Sequence, residues 1–169
     1  MERKKKNMTI KEENRNLFDV PQGYYLAHCI TADFSLGAGV ARKIDLIFNM
    51  KEKLHRFFTP GVKYHLGDAL LVDNVFNLVI KRDPTKKAKY KKLRAALEDM
   101  KDQMEENLIT KVAIPRLGCG HEGMDWEKVK EIIEEVFEDT DVEILICSLM
   151  KDEPEKKDND DYDDWGDLL

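Results

Sequence analysis

Apolar positions along the chain follow two periods. Tyr24-Tyr25-Leu26-Ala27-His28-Cys29-Ile30-Thr31 is apolar on both alternating faces, which predicts a strand covered on both sides. Met8–Glu12 alternates weakly and predicts an edge strand. Asp68–Val72 and Val75–Ile80 flank Asp73-Asn74 and predict an antiparallel hairpin. Lys111–Pro115 and Val142–Leu149 predict two more strands, and Val62-Lys63-Tyr64 a short one after the Thr59-Pro60-Gly61 turn.

The helical period marks three segments. Val40, Ile44, Ile47 and Phe48 form one stripe. Leu93, Ala96, Leu97, Met100 and Met104 form a second, on a helix predicted over about 85–107. The third carries Trp126, Val129, Ile132, Ile133, Val136 and Phe137, with Asp125 as its N-cap. Strands and helices thus alternate around one hairpin. The expectation is a three-layer α/β/α fold: a mixed sheet with helices on both faces. Ligands in such folds bind where strand C-termini meet helix N-termini.

Composition refines this picture. The chain has 169 residues, enough for one core, and no apolar run long enough to cross a membrane. Its formal charge is −6, and residues 151–169 account for all of it with nine acids and three lysines. That segment predicts a disordered acidic tail; residues 1–7 form a basic extension without a secretory leader's apolar stretch, leaving 8–150 as the folded domain. The charge-balanced domain argues against a broad nucleic-acid footprint. Cys29, Cys119 and Cys147 are odd in number and far apart, which predicts free thiols and a cytoplasmic location.

Two glycine-rich loops each join a strand to a helix: Leu36-Gly37-Ala38-Gly39-Val40 and Pro115-Arg116-Leu117-Gly118-Cys119-Gly120-His121-Glu122-Gly123. Glycine lets a ligand approach backbone N–H groups, and a following helix N-terminus favours an anion. Converging from neighbouring strands, the two could hold a pyrophosphate; singly, each is an ordinary turn. Neither is a Walker loop or a full Rossmann fingerprint.

The ordered set Leu26–Thr31, Leu36–Ala41, Ile114–Gly120 and Asp125-Trp126 resembles a macro domain. The subgroup it is most similar to holds terminal ADP-ribose protein glycohydrolase and the DarG-type ADP-ribosyl hydrolases, and the resemblance covers roughly residues 8–149. It implies an ADP-ribose cleft at the C-terminal edge of the sheet. Gly37, Ala38, Gly39 and Val40 would flank the pyrophosphate on one side. The Gly118–Glu122 loop (Gly118, Cys119, Gly120, His121, Glu122) would flank it on the other, and Pro115, Arg116 and Leu117 before it would also be ligand-binding residues. Asn16, Leu17, Phe18, Ser148 and Leu149 would lie near the adenine, and Thr31 by the distal ribose. The family's usual Asp before the Leu is Asn16 here, an acceptor without charge.

The resemblance also implies a catalytic lysine at the end of a middle strand, which is Lys81 here. A neutral lysine amine can attack the anomeric carbon of a ribose through an imine-like intermediate. The family's supporting aspartate is replaced by Glu122, one methylene longer. Without the resemblance, Lys81 reads as a strand-ending surface lysine and Glu122 as a solvated loop acid. His28 reads as a core histidine or, by similarity to an ADP-ribose-1″-phosphate phosphatase, as a catalytic partner of Glu122. Cys119 with His121 is too little for a zinc site, so no metal and no cofactor are expected.

The function so read is hydrolytic removal of ADP-ribose from protein carboxylate esters or nucleobases, by a monomer with no membrane partner. The alternatives are a non-catalytic ADP-ribose reader, or a phosphatase or deacetylase acting on ADP-ribose-1″-phosphate (Appr-1-p processing) or O-acetyl-ADP-ribose.

Overall fold

The computed structural model describes residues 6–61, 65–120 and 122–149. The expected strand at Val62–Tyr64, His121, the tail from 151 and most of the basic extension lie outside the described residues. Six strands form one sheet: β1 (Thr9–Asn14), β2 (Tyr25–Thr31), β3 (Ala69–Val72), β4 (Val75–Lys81), β5 (Lys111–Ile114) and β6 (Glu143–Ser148). Their order is β1-β6-β5-β2-β4-β3, parallel throughout except for the antiparallel β3–β4 hairpin. Helices α1 (Gly39–Phe48), α2 (Met50–Phe57), α3 (Tyr90–Glu106) and α4 (Trp126–Phe137) cover it.

Strand alternation creates two cores. Phe76, Leu78 and Ile80 of β4 join Ala27 and the stripes of α3 and α4 on one face. Val75 and Val79 join Leu26, Ile30 and the buried residues of α1 and α2 on the other. The sheet therefore needs apolar side chains on both faces, and every residue of β4 is buried, its last residue Lys81 included.

The stripe predicted for α3 is fully buried, and Asp125 caps α4 by accepting from the Glu127 N–H at 3.1 Å. Three expectations need correction. The helix predicted from about 85 begins at Tyr90, because the Asp83-Pro84-Thr85 turn is closed by the Asp83 carboxylate, which accepts from the Thr85 N–H at 2.9 Å. The expected single first helix is two. Asn49 takes a left-handed φ of 55° and donates its N–H to the Asp45 carbonyl at 2.8 Å, ending α1 and starting α2. Asn tolerates this region better than most residues. Finally, Ile47 is 56% exposed, not part of the buried stripe. The buried side of α1 centres on Ala41, Ile44 and Phe48, and at about 100° per residue Ile47 lies roughly 90° from that centre.

One polar pair crosses the second core. His28 Nε2 donates to Asn77 Oδ1 at 2.6 Å, and the Asn77 amide donates to the Leu70 carbonyl at 3.0 Å. Among the described residues His28 Nδ1 has no hydrogen-bond partner, and burial lowers the imidazole pKa to about 4. A folded-state pKa below the unfolded value of about 6.5 means the unfolded chain takes up the proton first. Stability from this group is complete above pH 6.5 and falls as pH drops toward 4. Chemical denaturation across that range should show a loss of about 3 kcal/mol attributable to it. His28→Gln, which keeps a donor for Asn77, should flatten the profile; an unchanged acid slope in that variant counts against a buried neutral imidazole.

Candidate active site

A cleft of about 330 Å³ opens at the C-terminal ends of β2 and β4. The two strands run in register until an irregularity at Ile30/Thr31 brings Thr31 opposite Lys81. Thr31, Gly37, Ala38, Lys81 and Glu122, all expected from the sequence, line the cleft together. Lys81 is the last residue of β4 and is 8% exposed. Its Nζ lies 2.7 Å from Glu122 Oε1, whose side chain is 19% exposed. A buried amine is thus held against a carboxylate at the cleft wall.

Two loops set that geometry. The Thr31–Leu36 turn is locked by Asp33, whose carboxylate accepts from the Thr31 hydroxyl at 2.5 Å and from the Ser35 N–H at 3.2 Å. Phe34 is anchored between His55 and His65, at ring-centroid distances of 5.5 and 6.1 Å. Phe34 and Leu36 both have positive φ, 56° and 40°, so buried contacts hold this loop in a costly conformation. The chain then enters α1 at Gly39. The N-cap, Ala38, makes no side-chain capping bond, and no acid occupies the first turn. The first N–H groups of α1 thus form an uncapped, positive helix end, and Ala38 at that start lines the cleft.

The second loop carries Glu122. Gly118 has φ +73°, and a Cβ there would lie 2.5 Å from Met124 Sδ. The Met124 N–H donates to the Gly118 carbonyl at 2.9 Å, closing a compact turn with Glu122 within it. Cys29 lines the cleft beside this turn. Burial and the Glu122 charge push its thiol pKa up, so it stays protonated.

The remaining expected residues sit elsewhere. Leu17 and Leu117 are core residues, so only their backbones can meet a ligand. Asn16 Oδ1 accepts from the Phe18 N–H at 2.9 Å and is already used in a local turn. Phe18 packs on Phe48, ring centroids 6.5 Å apart. Ser148 Oγ and Arg116 Nε both donate to Glu12 Oε2, at 2.8 and 2.6 Å, while the Arg116 guanidinium lies 5.4 Å over the Trp126 ring. Arg116 holds the Glu12 carboxyl below its usual range. Leu149 is exposed; Pro115 is half-buried, as are Gly118 and Cys119, while Gly120 is exposed. None of these lines the cleft, and Gly39 and Val40 continue into α1 behind it.

His28 does not line the cleft either: it is 1% exposed and bonded to Asn77. The core reading of His28 therefore holds. Cys29, Ile30, Ser35, Leu36, Ala41 and Pro84 also form the cleft wall and were not among the expected site residues. The Asp33-x-Ser35 spacing was a usable signal, since it is that of an Asx turn. Among the described residues no three His, Cys, Asp or Glu side chains gather to hold a metal ion. No helix among them is long and apolar enough to cross a membrane.

The Macro domain family model matches residues 28–133. The ADP-ribose glycohydrolase OARD1 of Bos taurus is 34% identical over 138 residues, covering 79% of this chain and 88% of that protein. Its Homo sapiens counterpart is 33% identical over the same length. Among solved structures, the macrodomain of Thermus aquaticus DarG superposes with a TM-score of 0.71 at 21% identity, over 84% of this chain and 99% of that one. The macrodomain of Mycobacterium tuberculosis DarG gives 0.69 at 21%, with the same coverage. A family match across most of the sheet and relatives a third identical along most of their length establish that the chain belongs to the macro domain family.

Proposed function

We propose that this chain is an ADP-ribosyl hydrolase that binds ADP-ribose in the cleft and releases it from modified macromolecules, with Lys81 as nucleophile and Glu122 as its acid–base partner. The observation that carries this reading is the 2.7 Å contact between Lys81 Nζ and Glu122 Oε1 in the cleft wall. Relatives of this sequence are ADP-ribose glycohydrolases by name, which supports the same chemistry here.

In this reading the pyrophosphate lies against backbone N–H groups of Gly37–Val40 and the uncapped start of α1, a dianion site that needs no arginine cluster. The Gly118–Gly120 turn closes over it, and Thr31 and Ser35 meet the distal ribose. Asn16 to Phe18, Ser148 and Leu149 form the adenine end. Because Asn16 Oδ1 is occupied by the Phe18 N–H, the adenine amino group finds only the remaining lone pair there.

Catalysis begins with the proton of the Lys81 ammonium passing to Glu122. The free amine attacks the anomeric carbon and a C–N bond forms, while the bond to the carboxylate or base breaks and Glu122 hands its proton to the departing group, which leaves Glu122 ionised again. The sugar ring opens to an imine. Glu122 then takes a proton from water as it adds to the imine carbon, and the C–N bond breaks to release ADP-ribose and restore Lys81. The substrate is a protein carboxylate ester or a modified nucleobase. The free thiols of Cys29, Cys119 and Cys147 support a cytoplasmic location, and the chain is read as acting as a monomer.

The alternative phosphatase or deacetylase reading, which covers Appr-1-p processing, needs His28 or a bound water with Glu122. The burial of His28 and its bond to Asn77 weigh against it. A non-catalytic reader would leave a buried lysine–glutamate pair without a task.

Lys81→Ala and Glu122→Gln should each lower release of ADP-ribose from an ester-linked peptide by at least about 10²-fold. Isothermal titration should show ADP-ribose affinity changed only a few-fold. Wild-type rates in Lys81→Ala would exclude the nucleophile role. Gly118→Ala forces a left-handed φ on a residue with a Cβ; Met124 can yield at its flexible end, but the backbone strain of about 1–2 kcal/mol remains. Turnover should fall together with thermal stability, because the turn that presents Glu122 shifts; a variant with lowered Tm and full turnover would separate the turn from catalysis.

A further inference from the structure

Behind Lys81 lies a second cavity of about 270 Å³ that the proposed chemistry does not use. Its polar lining is Lys81, Arg82, Lys86, Lys87, Lys89 and Lys92, with no acidic side chain among the lining residues. Apart from Lys81, none of these cations forms an ion pair with a described carboxylate. The neighbouring acid, Asp83, is held low by its bonds to Thr85 and has Lys86 and Arg82 nearby.

The start of α3 intensifies the charge. This 17-residue helix begins after Lys89 with no side-chain cap and no acid in its first turn, and Lys91 and Lys92 stand there instead. Cations at a helix N-terminus oppose the helix dipole, and acids are the usual choice. Two independent features, a lined cavity and a miswired helix start, therefore concentrate uncompensated positive charge at one place. Local rules broken in this way mark functional sites.

Residues 81–92 hold seven cations and one acid, a net +6, inside a domain that is neutral over 1–150. The opposite charge stands in residues 151–169, with nine acids and three lysines. Geometry brings the two within reach. β6 and β4 are parallel and end at the same edge of the sheet, with β5 and β2 between them. That is three strand spacings, about 14 Å. Ten residues of chain beyond Leu149 span up to about 33 Å. A tethered segment with that reach meets the cavity at an effective concentration of order millimolar.

We propose that the basic cavity formed by the 82–92 segment is an acidic-peptide site, and that its occupant is the chain's own segment 152–167.

The test uses the full chain and needs no turnover, so it stands apart from the hydrolase reading. Zero-length carbodiimide cross-linking at low salt, read by mass spectrometry, should join acids 158–167 to Lys86, Lys87 and Lys89 well ahead of exposed Lys51 on α2 and Lys128 on α4. These cross-links should fade at about 0.5 M salt, where exposed charges are screened, and in the double variant Lys86→Glu, Lys87→Glu. In a second measurement, a fluorescein-labelled peptide of residues 151–169 is titrated against wild type and a chain carrying Asp160→Asn, Asp161→Asn, Asp163→Asn and Asp164→Asn. The peptide should bind the neutralised chain at least about tenfold more tightly, because its site is then vacated. Cross-links spread evenly over surface lysines, or equal peptide affinity for both chains, would overturn the proposal. So would a labelled single-stranded oligonucleotide that binds both chains equally and displaces the peptide, since the cavity would then stand open to an outside polyanion.

Discussion

The contact between Lys81 and Glu122 joins two parts of the chain that the fold otherwise keeps separate. Lys81 ends the most buried strand, and Glu122 sits in a turn that leads into α4 on the far side of the cleft. A buried amine is costly unless a partner carboxylate accompanies it, and removing either partner leaves the other charge stranded. The pair therefore demands rigid support on both sides. β4 supplies one side through two apolar faces that cannot slip by one residue without exposing a whole row of side chains. Gly118 and Met124 supply the other by a turn whose left-handed φ and close side-chain approach favour glycine.

The rest of the cleft is built with little charge. Its floor and rim are backbone and small side chains: Gly37, Ala38, Ala41, Thr31 and Ser35. This arrangement suits a ligand held by N–H groups, and it lets the folded domain be electrically balanced. Net charge is thereby a poor guide to the ligand. Its local distribution says more: the cations gather behind Lys81 and around the start of α3.

Much of this was readable from sequence because periodicity and side-chain chemistry agree where burial is strong. The stripes of α3 and α4, the hairpin and the doubly covered β2 all follow from apolar spacing. The break at Asn49 was not readable, since a single residue in left-handed conformation leaves the apolar period almost unbroken. Lys81 and Glu122 were found through motif resemblance, because two residues forty-one positions apart carry no local mark of being neighbours. The Glu12–Arg116–Ser148 cluster did not announce itself, as it is assembled from distant elements, while the cations of residues 81–92 were visible as a run but not as the lining of a cavity. The tie of Asn16 to its own turn shows the same limit: the residue type was legible, its hydrogen-bond partner was not.

The central claim is that the Lys81 amine forms a covalent bond with the anomeric carbon. The most direct measurement is reductive trapping during turnover of an ADP-ribosylated peptide ester, followed by peptide mapping. An ADP-ribose adduct on Lys81 is expected in the wild type, and none in Lys81→Ala. An adduct confined to Lys86, Lys87 or another surface lysine, or steady turnover with no adduct on Lys81, would contradict it.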